Sequence, residues 1–155
     1  MKLTSSLGGG VIHISPPTIS MNKISQTLKN TDRVQHKWSF VKWPSGIRSD
    51  GTPEAYCALG ALYCEAGLVK SYDNHHWDVT AMLTYFGLET GDKREEWLTT
   101  KQPCPAHDEP MISEDDEVSS CNQHPVSPNW LIPHLNDEHG WTFKQIGEWL
   151  ETIGF

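Results

Sequence analysis

The chain has 155 residues, with 20 Asp and Glu against 12 Lys and Arg, for a formal charge of −8 at pH 7. That length fits one domain with a real core. The acidic balance, with no basic stripe, argues against nucleic acid as a partner, and no run reaches the ~18 apolar residues of a membrane span.

Residues 1–19 read as an extended arm. "LGGG" is flexible, Val11, Ile12 and Ile14 alternate with strand character, and Pro16-Pro17 stops any regular element. No continuous apolar segment of the signal-peptide kind is present, so a reducing cytoplasm is expected, where cysteines serve as thiols or metal ligands rather than bridges. The arm has two readings. It folds back on its own core, or it adds as a strand to a protein partner through Val11, Ile12 and Ile14.

Residues 20–155 read as a single helical domain. Ser20 can cap a helix carrying Met21, Ile24 and Leu28 at helical spacing. Trp38, Phe40 and Val41 suggest a short extended segment before a Pro-Ser-Gly turn. Thr52-Pro53 has the form of a helix start, which predicts a helix over 53–66 ended by Gly67 and puts Cys57 in its second turn. Alanines and Gly60 make that helix narrow, so another element can approach it closely. "HHWDVTAMLTYFGL" predicts a helix with Val79, Met82, Leu83 and Phe86 apolar, and "DKREEWL" a short charged one.

Residues 99–133 hold six prolines and little periodicity, which predicts a long irregular loop. Asn136-Asp137 reads as turn chemistry before the last helix. In that helix Thr142 and Gln145 form a capping box, and Phe143, Ile146, Leu150 and Ile153 make the buried stripe. The expected fold is mainly α with minor β: a small helical domain with an extended N-terminal arm and a long Cys/His loop.

Within that loop, "CPAHDEPMISEDDEVSSCNQH" places a Cys-x-x-His pair at each end of an acidic stretch. Zinc favours four sulfur and nitrogen ligands, and residues two apart can both be offered by one tight turn. Cys104, His107, Cys121 and His124 meet this requirement, and neighbouring prolines stiffen both pairs. Four protein ligands leave no open position, so such a zinc would be structural. Two other readings stand beside it: unliganded thiols in a surface loop, and a Cys104–Cys121 disulfide, which a reducing compartment opposes.

A second constellation joins Cys57 to "HLNDEHG". A thiol hydrolase needs a thiolate, a histidine to take its proton and a polar orienter. Cys57 would be the nucleophile, His134 or His139 the base, and Asn136 or Asp137 the orienter. Against this, Cys57 lies among small apolar residues, where a cysteine usually acts as a buried hydrophobe.

Two segments, "YCALGALYCEAG" and "IPHLNDEHGWTFKQIGEWLE", resemble a family of small uncharacterised proteins from bacteria and their phages. The resemblance rests on Cys57, Ala58, Gly60, Ala61 and Leu62, then on Asn136 and Asp137 before a closing amphipathic helix. It implies a small helical fold and carries no established activity. The reading that results is a non-enzymatic accessory protein, phage-encoded and docking on a larger assembly such as a virion. The alternatives are a thiol-dependent hydrolase and a small inhibitor or regulator of a host protein.

Overall fold

The computed structural model describes residues 23–88, 90–112 and 115–155. The arm with Val11, Ile12 and Ile14, and the expected cap Ser20, lie outside them. The described residues form a mainly helical fold with minor β, as the sequence predicts, and the strands make three short two-stranded ribbons.

Helix α1 (Ile24–Asn30) buries Ile24 and Leu28 against α6 (Phe143–Thr152), the closing helix. Their approach is close because Gly147 carries no side chain: a Cβ there would stand 2.8 Å from the Ser25 carbonyl oxygen and from Lys29 Cγ. The capping box of α6 forms as expected, with the Thr142 hydroxyl accepting from Gln145 N–H at 3.1 Å and the Gln145 side chain accepting from Thr142 N–H at 2.9 Å. Phe143, Ile146 and Leu150 are buried, while Ile153 is half-buried.

The helix expected from Pro53 does not begin there. Ala55–Tyr56 is instead a strand (β2) paired antiparallel with β1 (Val41–Lys42). Backbone groups that a helix would have taken are claimed from outside. Glu54 N–H donates to Lys42 O, Tyr56 N–H to Val34 O and Cys57 N–H to Phe40 O, all at 2.8–2.9 Å. Tertiary pairing thus overrides a good local start signal, and α2 runs only over Ala58–Glu65. Cys57 is its N-cap, not a second-turn residue. Gly60 lies directly under the Phe40 carbonyl, where any Cβ would collide with that oxygen.

After α2, a hairpin of β3 (Val69–Ser71) and β4 (Asn74–His75) leads into α3 (Val79–Tyr85). Asp78 caps α3 by accepting from Ala81 N–H. Helix α4 (Asp92–Leu98) buries Trp97 completely. The Pro-rich excursion then departs and returns across a bridge between Gln102 and Val126, and it carries a small hairpin of β5 (Met111–Ile112) and β6 (Val118–Ser119).

The excursion ends earlier than the proline count suggests, because residues 128–137 form a helix, α5 (Pro128–Asp137). Pro128 sits at the start, where a missing N–H costs nothing. Pro133 is tolerated inside because Leu131, Ile132 and Leu135 are fully buried and drive the segment into the core. Asn136 and Asp137 therefore close a helix rather than form a free turn. Asn136 is fully buried and joins three parts of the fold: its Oδ1 accepts from Gln35 Nε2 (2.7 Å) and Ala58 N–H (3.0 Å), and its Nδ2 donates to the His36 carbonyl (2.9 Å). Asp137 Oδ1 accepts from the N–H of Trp38, which holds a left-handed backbone at φ 78°.

Candidate metal centre

The end of α5 projects two imidazoles toward the base of the excursion. His134 lies in the helix's last turn and His139 just beyond it, where the chain turns back through His139 N–H to the His134 carbonyl. The excursion contributes Cys104 before its hairpin and Cys121 after it. The ligand-type atoms of Cys104, Cys121, His134 and His139 all lie within 4.8 Å of one another, a group that could hold one metal ion. Cys104 Sγ is 3.6 Å from His139 Nε2, and Cys121 Sγ is 3.6 Å from His134 Nε2.

The orientation of the rings is fixed from behind. His134 Nδ1 is 3.1 Å from Glu138 Oε1, and His139 Nδ1 is 3.2 Å from the Pro110 carbonyl oxygen. Both partners only accept, so each Nδ1 carries the proton and each Nε2 presents a lone pair to the centre. Such outer partners fix the tautomer of a ligating histidine. The two rings meet edge to face, with centroids 4.7 Å apart.

Burial sets the charge state. Burial pushes the Cys104 thiol up to about 11; the Ala106 N–H works against this, and the neighbouring Cys121 sulfur adds to the rise. Burial, and next the adjacent His134, hold the His139 imidazole below its ordinary value. Without a cation, the group favours a thiol at Cys104 and a neutral ring at His139.

The structure thus keeps half of the ligand set read from the sequence and replaces the other half. Cys104 and Cys121 come together, whereas His107 and His124 are exposed and lie outside the group. A turn does form at the first pair, His107 N–H donating to Cys104 O at 3.2 Å, but Ala106, not His107, is the buried member. Cys104 and Cys121 are 7% and 8% exposed, so they are not surface thiols, and all four cysteines are free rather than bridged.

The second sequence constellation is assembled only in part. Asn136 Oδ1 accepts from the N–H of Ala58, next to Cys57, and the Asp137 carboxylate is near enough to join burial in raising the Cys57 thiol, but His134 and His139 face Cys121 and Cys104 instead. In both histidines expected as bases for Cys57, Nε2 faces a cysteine of the four-residue group and Nδ1 is held by Glu138 or the Pro110 carbonyl. Cys57 is 2% exposed, its sulfur accepts from Gly60 N–H at 3.4 Å, and burial pushes its thiol up to about 11. Asn136 and Asp137 hold backbone together instead of orienting an imidazole. The signal that would have found the histidines is His134-x4-His139, which lies within the spacing that zinc-binding pairs use.

Comparison with known protein families, with curated proteins and with solved structures finds no match. Among the described residues, no helix is long and apolar enough to cross a membrane.

Proposed function

We propose that the protein is a non-enzymatic interaction domain that docks on a larger protein assembly, and that one structural zinc ion on Cys104, Cys121, His134 and His139 sets the shape of its mid-section. The geometry of the four donors carries the zinc reading. With Zn–S near 2.3 Å and Zn–N near 2.0–2.1 Å, a tetrahedral site has S···N edges of about 3.6 Å. Both cross-pairs, Cys104 with His139 and Cys121 with His134, stand at that separation. Two thiolates would neutralise the ion, and the mixed sulfur–nitrogen set favours zinc over magnesium or calcium. Four protein ligands leave no position for water or substrate, which supports a structural rather than a catalytic role.

The non-enzymatic reading follows from what the reactive residue types are doing. The histidines are spent on the centre, and Cys57 is enclosed at a helix cap. The two motifs resembling those of small bacterial and phage proteins support placing the assembly among virions, with the protein as an accessory component.

Elemental analysis of the purified chain tests the zinc reading directly. One zinc per chain is expected, falling to well below half in Cys104→Ser and His139→Ala. A chain that purifies without metal, and takes up none when refolded with micromolar zinc, would overturn it.

A further inference from the structure

We infer that a contiguous array of aromatic rings, Phe40, Trp43, Tyr63, Tyr72, His75 and Trp77, is the docking surface of this protein, and that it takes an arginine-bearing segment of its partner. The inference rests on the interaction reading above and names the partner's chemistry.

The array is unbroken. Trp43 lies 5.1 Å from Tyr72 and 5.2 Å from His75; His75 lies 5.3 Å from Trp77; Trp77 lies 4.8 Å from Phe40 and 5.3 Å from Tyr63, all centroid to centroid. Tyr63 is buried and forms the floor, while Tyr72 and Trp77 are 41% and 37% exposed. Trp130 is more exposed, at 67%, but enters no ring contact among the described residues, which singles the array out. Contacts such as Trp43–Tyr72 and Tyr63–Trp77 are edge to face, at 74° and 79°. In each, the ring that gives its edge keeps both faces clear of that neighbour, and an aromatic face is the side that attracts a cation.

The surface is also set in place before any partner arrives. Tyr72 N–H donates to Gly51 O and Asp73 N–H to Ser49 O, tying the hairpin tip to the preceding loop at 2.8 and 3.1 Å. Pre-ordered side chains lower the entropy lost on association.

Charge selects the occupant. In the adjoining 42–54 segment Lys42 is paired with Glu54 and Arg48 with Asp50, each at 3.5 Å, and exposed Lys70 adds one positive charge on the hairpin itself. Exposed Asp73 and Asp78 flank the rings, and Asp78 is near enough to Tyr63 to join burial in raising its phenol pKa. On a chain of net charge −8 this combination favours a cationic segment. Arginine suits it better than lysine, because a planar, weakly hydrated guanidinium stacks on aromatic rings.

The test uses the full chain, labelled with 15N and with its zinc content measured, and three capped peptides: (Gly-Arg)4, (Gly-Lys)4 and (Gly-Glu)4. The arginine peptide is expected to shift the indole N–H signals of Trp43 and Trp77 and to bind about two- to fivefold tighter than the lysine peptide. Tyr72→Ala, at an exposed position, should erase that preference, and Asp73→Asn should weaken both cationic peptides. Equal binding of the arginine and lysine peptides, or shifts gathered on Asp115 to Glu117 with Tyr72→Ala unchanged, overturns the proposal. So does self-association of the chain through the array. A chain that holds one zinc but shows no array shift fails this surface alone, whereas a zinc-free chain fails the metal reading alone.

Discussion

At the scale of single residues, Glu138 is where the centre is most open to measurement. Its carboxylate holds His134 Nδ1 from outside the group and is itself nearly half exposed, so changing it disturbs no packing. Removing such an outer partner typically costs ~10- to 100-fold in metal affinity. Glu138→Ala should show that loss in competition with a chromophoric chelator, while His107→Ala and His124→Ala leave affinity unchanged. A large loss in either histidine variant would restore the ligand set that the Cys-x-x-His spacing suggested. The two cysteines were legible because they stand at the ends of a Pro-rich stretch with no core of its own. The histidines that the structure places beside them were not, because sequence proximity favoured His107 and His124, whereas His134 and His139 come from the end of, and just beyond, a helix that its internal Pro133 hid.

Cys57 offers a second residue-scale measurement, with a clear sign. Its folded-state pKa is raised, to about 11, so the reactive thiolate is scarcer than in the unfolded chain, about one molecule in a thousand at pH 8. Iodoacetamide should label Cys57 slowly in the native protein and rapidly in urea. Fast native labelling at pH 7 would mean an activated thiol and would revive the hydrolase reading.

At the scale of elements, the helices with their own punctuation were readable in advance. The capping box at Thr142 and the Gly67 that follows α2, at φ 78°, mark ends that local chemistry decides. The start of α2 was misplaced because the decision there belongs to a segment earlier in the chain, whose Lys42, Val34 and Phe40 carbonyls take the N–H groups of Glu54, Tyr56 and Cys57. That arrangement makes Gly60 critical, since the Phe40 carbonyl rests where a Cβ would go. Gly60→Ala should destabilise the fold by ~1–3 kcal/mol or more by urea denaturation, despite alanine's better helix propensity. Gly147→Ala should do the same less severely, because one of its close neighbours is the flexible Lys29 side chain. A neutral Gly60→Ala would mean that β1 does not lie across α2.

At the scale of the whole molecule, two parts of the fold are held by different means. The helices share a core of fully buried side chains, among them Leu62, Met82, Leu83, Trp97, Leu131, Ile132 and Leu150. Among the described residues of 101–126 the buried side chains are few and small, Ala106 with the two cysteines, and the hairpin of β5 and β6 is only two residues a side. A ribbon that short is marginal by itself. Among the described residues, its hydrogen bonds to the body include Ile112 N–H to Glu138 O at 2.7 Å, Trp141 Nε1–H to Glu109 Oε1 at 2.8 Å and His139 Nδ1 to the Pro110 carbonyl at 3.2 Å, while the Gln102–Val126 bridge closes the segment's own base. A zinc ion joining Cys104 and Cys121 to His134 and His139 would add four bonds at the root of this segment, where they restrict it most. Chelation should therefore split the molecule's response. Amide hydrogen exchange should rise by orders of magnitude over 101–126 and at the last turn of α5, while the α1–α6 pair keeps its protection. Readdition of zinc should reverse the change. Uniform loosening of all helices, or no change over 101–126, would show that the excursion does not depend on the metal for its order.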